Sequence, residues 1–409
     1  MTTNWQVCIV ADIASPVKNA LVGGPFGSNL VSKDYVTTGI PVIRGQNMGE
    51  RWISGEFVFV SPEKATQLSP NIARPRDLIF TQRGTLGQIA IVPEDTYDTF
   101  VVSQSQMKLT VDNEKADTLF IYYVFKSPEQ QDYILRNAIQ TGVPHTNLEH
   151  LRTTQIKLPP LLEQRAIAGI LGALDDKIEL NRRMNATLES LALAVFKQWF
   201  VDNEEVGKWE VGKLGDIAEV IDCLHSKKPD RRETGKPLLQ LSNILDNGLL
   251  EMSDIYFISE EDYDFWISRL EASPGDCVVT NVGRVGAVAQ IPEGVHAALG
   301  RNMTAVRCKK EYPYPTFIIQ CLLSDPMRQE INNKTDTGTI LDALNVKNIP
   351  LLQFPMPPHE LIQDFENIVR PVRAKMEANL KESRTLASLR DSLLPKLMRG
   401  EVRVGRGNS

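Results

Sequence analysis

The spacing of apolar residues changes character twice along this chain, in the same order each time. Through about residue 157 the apolar runs are short, rich in β-branched residues and broken by Gly, Pro, Asn and Asp. Ile40-Pro41-Val42-Ile43, Phe57-Val58-Phe59-Val60, Leu78-Ile79-Phe80-Thr81, Ile89-Ala90-Ile91-Val92 and Gln106-Met107-Lys108-Leu109 read as strands. A helical period follows over 118–138. From 161 to about 200 the pattern becomes a heptad: Ile167, Leu174, Asn181, Leu188 and Val195 recur every seven residues. Ile170, Met184 and Leu191 fall on the complementary seam, with Leu171 and Ile178 beside it. The whole sequence of patterns then starts again. Strand-like segments over 209–355 include Leu238-Leu239-Gln240-Leu241, Cys277-Val278-Val279-Thr280 and Ala287-Val288-Ala289-Gln290, with a helical stretch near 316–333. A second heptad over 359–398 carries Phe365, Val372, Asn379, Leu386 and Leu393, with Ile368 and Leu389 on its other seam. Pro371 is expected to kink or interrupt that helix, since proline lacks the donor and clashes with the preceding turn. Forty helical residues reach about 60 Å.

The recurrence extends to the wording. Arg76-Asp77-Leu78-Ile79-Phe80-Thr81-Gln82-Arg83-Gly84-Thr85-Leu86-Gly87 returns as Gly275-Asp276-Cys277-Val278-Val279-Thr280-Asn281-Val282-Gly283-Arg284-Val285-Gly286. The aspartates are 199 residues apart (276 − 77 = 199). Leu158-Pro159-Pro160 returns as Met356-Pro357-Pro358, and Thr187-Leu188-Glu189-Ser190-Leu191 as Thr385-Leu386-Ala387-Ser388-Leu389. A unit of about half the chain is duplicated, far longer than the roughly 20–50 residues of a solenoid repeat. The expected fold class is α+β, with two β-rich α/β domains at 1–157 and 209–355. Helical regions at 158–208 and 356–409 separate them. Their two long helices pair as an antiparallel coiled coil, giving a pseudo-twofold repeat. Leu174, Asn181, Met184 and Leu188 of the first helix and Asn379, Leu386, Leu389 and Leu393 of the second are the expected pairing positions. Asn181 and Asn379 sit at matching seam places, where an asparagine fixes register at a cost in stability.

Composition narrows the class. The chain has 409 residues, 42% apolar and 23% charged, which is ordinary for a soluble globular protein. No secretory signal is visible at Met1-Thr2-Thr3-Asn4-Trp5-Gln6, and no run approaches the roughly 18 apolar residues of a membrane span. A cytoplasmic protein with no membrane contact is expected. The five cysteines are scattered, and neither a disulfide framework nor a metal site is expected from their spacing. The net charge of −6 argues against a polyanionic partner unless a local basic cleft or another subunit supplies phosphate contacts.

Catalytic motifs are missing. There is no GxxxxGK[ST] loop, no HExxH, no GxSxG elbow and no Asn/Asp-Pro-Pro-Tyr methyltransferase motif. Gly23-Gly24-Pro25-Phe26-Gly27-Ser28 is spoiled as a phosphate cradle by its proline and the absent lysine. No catalytic residue and no cofactor is expected. Amide and guanidinium side chains instead gather at strand ends. In the first copy these are Arg44, Gln46, Asn47, Gln82, Arg83, Thr85, Gln104, Gln106, His145 and Asn147; in the second, Gln240, Asn243, Thr280, Asn281, Arg284, Arg301, Asn302 and Thr339. Asn and Gln match adenine bidentately and Arg matches guanine, so these are the candidate DNA-reading residues. The frame persists between copies while polar identities change, Gln82-Arg83 against Asn281-Val282. Two different short recognition sequences would require such a change.

Six stretches carry a resemblance to a known family. They are Gly24-Pro25-Phe26-Gly27-Ser28-Asn29-Leu30, Gly39-Ile40-Pro41-Val42-Ile43-Arg44-Gly45-Gln46-Asn47, the Thr81-to-Gly87 turn, Leu158-Pro159-Pro160-Leu161-Leu162-Glu163-Gln164, Leu174-Asp175-Asp176-Lys177-Ile178-Glu179-Leu180-Asn181-Arg182-Arg183-Met184-Asn185, and Leu389-Arg390-Asp391-Ser392-Leu393-Leu394-Pro395-Lys396-Leu397-Met398-Arg399-Gly400. The chain resembles the specificity subunit of type I restriction–modification systems over essentially its whole length. The resemblance implies two target-recognition domains, each reading half of a split double-stranded DNA site, with the helix pair as a ruler. It also implies docking of two methyltransferase subunits, which bind S-adenosylmethionine and methylate adenine, and of endonuclease subunits, with no catalysis by the chain itself. Without the resemblance, the residues also fit a duplicated protein-binding adaptor, or a methyltransferase or nuclease with an unrecognised motif.

Overall fold

The structure is a computed structural model that describes residues 5–139, 142–336, 338 and 341–404. It resolves into two compact units, Met1–Lys177 with Leu386–Ser409, and Ile178–Thr385.

The first unit is built around a four-stranded antiparallel sheet in the order Leu21–Gly23, Gln106–Leu109, Leu78–Thr81, Ile89–Ile91. The central strand Leu78–Thr81 is buried at every residue, so both its faces need a cover. Side chains alternate across a strand. Leu78 and Phe80 accordingly pack with Met107, Phe120, Phe125, Ile167, Leu171 and Leu397, beneath the helix Thr118–Lys126 and the long helices. Ile79 points the other way, into a core with Ile43, Ala90, Phe100 and Val102. Ile43, Phe100 and Val102 come from a five-stranded sheet ordered Tyr35–Val36, Val58–Val60, Ile40–Ile43, Phe100–Val102, Ile72–Ala73. The strand Gln6–Ile9 pairs antiparallel with Gln155–Leu158 and ties the start of the unit to the residues that enter the long helix.

The second unit repeats this plan. Its four-stranded sheet runs Ala218–Asp222, Met303–Cys308, Cys277–Thr280, Val288–Gln290. Cys277 and Val279 face the helical side, with Phe317 and Phe365, while Val278 faces a core with Leu239, Ala289 and Leu299. Val211–Lys213 pairs with Gln353–Pro355 as the closing strand. The tight turn after the central strand uses left-handed glycines at the same two places, Gly84 and Gly87 in one unit and Gly283 and Gly286 in the other. The aspartate that opens the strand is a second shared device. Asp77 is buried, accepts the Arg74 N–H at 2.8 Å and pairs with Lys108 at 3.3 Å. Asp276 accepts the Ser273 N–H at 2.8 Å and pairs with Arg307 at 2.6 Å.

Helices Leu161–Phe200 and His359–Met398 are continuous, each starting directly after a Pro-Pro pair. They run antiparallel. In the second unit Asn181 Nδ2 donates to Glu382 at 2.9 Å and to the Ser383 hydroxyl at 3.3 Å. Asn379 Nδ2 donates to Asn185 Oδ1 at 2.9 Å, and Asn185 Nδ2 to the Met376 carbonyl at 3.0 Å. In the first unit Arg390 pairs with Asp175 at 2.6 Å, and Tyr123 donates to the same carboxylate at 2.5 Å. Burial and that carboxylate push the Tyr123 phenol well above its ordinary value.

Two sequence expectations need correction. The secondary seams are displaced by one residue. Leu171, Asn185 and Ala192 are buried, whereas Ile170 and Leu191 are exposed; Ile362, Val369, Met376 and Leu397 are buried, whereas Ile368 and Leu389 are exposed. An apolar residue stands both three and four places from the primary stripe, and the side facing the globular part is the one that packs. Pro371 also fails to interrupt its helix. Both it and Asn367, whose carbonyl it cannot pair, lie on the exposed side, where water takes the missing donor's place. Among the described residues no helix is long and apolar enough to cross a membrane.

Asn379→Ala removes the donor to Asn185 inside a buried amide cluster. It is expected to lower stability by about 1–3 kcal/mol, read as a lower urea midpoint. An unchanged midpoint would show that the cluster does not contribute.

Candidate nucleic-acid interface

In the first unit, loops from separate strands meet at one end of the four-stranded sheet. The Gln82 and Arg83 N–H groups both donate to the Ser105 carbonyl, at 2.7 and 3.2 Å. Arg83 bridges His145, and the Gln82 carbonyl accepts from Thr146 at 2.9 Å. Ser103 N–H donates to the Ile43 carbonyl at 3.0 Å, which brings in the Arg44 loop. Gly24 N–H donates to the Gln106 carbonyl at 2.8 Å, and Gln104 Nε2 reaches the Gly27 carbonyl at 2.6 Å, which brings in the loop after Leu21–Gly23. Sequence positions 26, 44, 82–85, 104 and 145 thus share one edge. Arg83, Thr85, Gln46 and Gln104 are exposed there, and Arg44, Gln82 and His145 are half-buried.

Several expected reading residues have structural duties instead. Asn47 is 1% exposed; its Oδ1 accepts the Arg44 N–H at 3.0 Å and its Nδ2 donates to the Ser54 and Glu56 carbonyls at 3.0 and 2.9 Å. Asn243 repeats this, accepting from Gln240 N–H at 2.8 Å and donating to the Glu251 carbonyl at 2.9 Å. Both amides are consumed in folding the loop after the strand. Gln106 is buried and accepts from Ser103, and Asn147 caps the helix Leu148–Thr153 through the His150 N–H at 2.8 Å. Thr280 is fully buried, accepting from Ala287 N–H at 3.0 Å. Asn281 is buried, accepting from Thr304 at 2.8 Å and donating to the Leu344 carbonyl at 3.1 Å. Arg284 is tied to Asp246 at 2.5 Å and to the Ile244 carbonyl at 2.7 Å, and Gln240 Nε2 to the Leu239 carbonyl at 3.0 Å. Asn302 serves the backbone with a left-handed φ of 68°. Arg301 is exposed. Thr339, like Thr141 and Thr337, lies outside the described residues.

The second unit offers a basic loop that the sequence reading passed over. Lys227, Lys228, Arg231 and Arg232 fall within the ten residues that follow the strand Ala218–Asp222. Tyr256 holds this loop, its hydroxyl donating to the Pro229 carbonyl at 2.7 Å and its ring lying 3.8 Å beneath Lys228 Nζ. Burial, together with the Arg231 and Arg301 charges, lowers the pKa of the Lys228 ammonium. Such crowding of cations favours an anionic partner. The local signal was present as Lys-Lys-Pro-Asp-Arg-Arg, but the chain-wide charge of −6 hid it. At the root of this loop Asp222, Cys223 and His225 bring one ligand atom each within 4.8 Å of one another. The spacing of the cysteines and histidines along the chain does not predict this cluster. Arg269 lies 3.7 Å from the Asp222 carboxylate and is the cation this group already has.

Comparison with known proteins fits this doubled geometry. The family model for the type I restriction modification DNA specificity domain matches residues 32–190. The type I restriction enzyme MjaIX specificity subunit of Methanocaldococcus jannaschii is 26% identical, with 98% of this chain and 94% of the relative covered. Over nearly its whole length the chain is similar to type I restriction enzyme specificity subunits. The MjaVIII specificity subunit of the same organism is 24% identical over 74% of this chain and 75% of its own. The fold is shared with the crystal structure of a type I restriction–modification S subunit from M. genitalium, at a TM-score of 0.59, 17% identity and 96% coverage of each chain.

Asn47→Ala and Asn243→Ala should each lower stability by about 1–3 kcal/mol, because buried partners lose their bonds. Arg83→Ala should stay within about 0.5 kcal/mol of the parent. Thermal melting of the three variants checks the assignment, and equal melting for all three would contradict it.

Proposed function

We propose that the chain is the DNA-reading subunit of a type I restriction–modification complex. It recognises a bipartite double-stranded site, one half with each unit, and performs no chemistry itself. One observation carries this reading: the same frame is built twice, with matching buried residues and different exposed ones. Asp77 and Asp276, Asn47 and Asn243, and the paired turn glycines hold equivalent loops. What those loops present differs, Gln82, Arg83 and Gln104 in one unit and Lys227, Lys228 and Arg301 in the other.

Methyltransferase subunits, two by the repeat, dock on the helical segments near 174–184 and 389–398, and endonuclease subunits join through them. The outward faces of the helices support this with exposed Ile170, Leu180 and Leu191, and Ile368 and Leu389. The complex acts in the cytoplasm. The acidic balance fits a division of labour in which the partners supply much of the phosphate contact that sets affinity.

Substituting Gln82 and Arg83 by Ala is expected to relax readout in one half-site only, by about 1–3 kcal/mol per lost bidentate contact. Mapping methylated sites for the variant assembled with methyltransferase checks this; equal loss in both halves would refute the assignment. The chain alone should bind DNA weakly at physiological salt and gain specific binding when methyltransferase subunits are added. Tight specific binding by the isolated chain in a gel-shift titration would contradict that.

A further inference from the structure

Phe26 is 88% exposed, which leaves almost its whole ring in water. It lies in the loop that leaves the edge strand Leu21–Gly23, among the converged loops of the first unit. An exposed aromatic on a slack loop would fold back onto the nearest apolar surface. This loop is not slack. Gly24 N–H donates to the Gln106 carbonyl at 2.8 Å, and Asn29 N–H to the Phe26 carbonyl at 2.7 Å. Gln104 Nε2 donates to the Gly27 carbonyl at 2.6 Å on the far side of the ring. Gly24 lies so close to its neighbour that a Cβ there would come within 2.0 Å of the Ser103 carbonyl oxygen. Phe26 itself is extended, with φ −67° and ψ 142°. The loop is clamped on both sides of a ring that it holds outward.

Strand register identifies the equivalent place in the second unit. Gly23 pairs with Met107 and Asp222 with Thr304, while Thr81 pairs with Gln106 and Thr280 with Met303. Gly23 thus corresponds to Asp222, and Phe26 to His225, three residues further on. His225 is hydrogen-bonded to Asp222 at 3.0 Å and opens the basic loop. The corresponding loop therefore presents cations in one unit and a bare phenyl in the other.

From this we infer that Phe26 is a wedge that inserts between two base pairs of the half-site read by the first unit. The inference rests on the DNA-reading function proposed above and goes beyond hydrogen-bond readout. Apolar wedges unstack and kink a duplex step. The cost depends on the step and is lowest at pyrimidine–purine steps, so a wedge selects sequence without contacting a base edge. Two features favour DNA over a protein as the occupant. The loop that carries the ring is bonded by Gln104 and abuts Gln82 at Gly23, and the equivalent loop of the other unit is cationic.

The test uses the full chain assembled with its methyltransferase subunits, and a duplex carrying the site mapped by methylation. 2-Aminopurine or pyrrolocytosine is placed singly at each position other than the methylated adenine. The parent assembly should raise fluorescence at one step within one half-site. Phe26→Ala should abolish that rise and weaken binding about ten-fold, the scale of one lost base stack, with melting of the chain unchanged. Phe26→Trp should retain both properties, and His225→Ala should leave the signal in that half-site intact. Parent-like fluorescence with Phe26→Ala overturns the wedge, whether or not affinity falls. A loss that appears in assembly with the methyltransferase overturns it too, because the ring is then a protein contact. If the parent assembly binds no duplex specifically, the DNA-reading function fails first and the wedge with it.

Discussion

The central strand of each four-stranded sheet is buried on both faces, and the rest of each unit follows from covering it. Leu78 and Phe80 need helices on one side, and Ile79 needs a second sheet on the other. Cys277, Val279 and Val278 make the same demand. A strand closed on both faces has no surface left for a ligand. Only the loops at its ends can carry exposed polar groups, and their backbones must be fixed by side chains that are themselves used up. Asp77 and Asp276 fix the entry to the strand, and Asn47 and Asn243 fix the neighbouring loop.

This division explains how one frame can serve two specificities. The residues that hold the loops keep their identity between copies, while those the loops display do not. Gln82, half-exposed in one unit, corresponds to Asn281, which is drawn inward to Thr304 and Leu344. The second unit places its charge on the loop after the edge strand, at Lys227 and Lys228, where the first unit has the uncharged Ser28 and Asn29. The long helices follow the same economy. Their inner seam is unusually polar, with Asn181, Asn185 and Asn379 bonded to one another's helix. A seam of this kind gives up some hydrophobic stabilisation to define one antiparallel register.

Much of the architecture was legible in the sequence because it rests on periodicity and repetition. The duplication, the two heptad stripes and the matching seam asparagines need no knowledge of tertiary contacts. The secondary seams were not legible, since Ile170 and Leu171 are equally apolar and only the globular part decides which one is covered. Gln82, Arg83, Gln104 and His145 do meet at one edge. Asn47, Asn243 and Asn281 were misassigned because the groups that match an adenine edge also match a backbone N–H and carbonyl. Phe26 was passed over because its glycine-rich loop was judged as a phosphate cradle. Lys228 and its neighbours were passed over because a net charge averages away a local cluster.

The central claim is that two units of one frame read two unlike halves of a single site. Genome-wide mapping of methylated adenines in cells that express this chain with its methyltransferase subunits tests it most directly. The account predicts one bipartite sequence, its two short halves different from each other and separated by an unspecified gap of constant length. A continuous site, or two halves identical by symmetry, would contradict it.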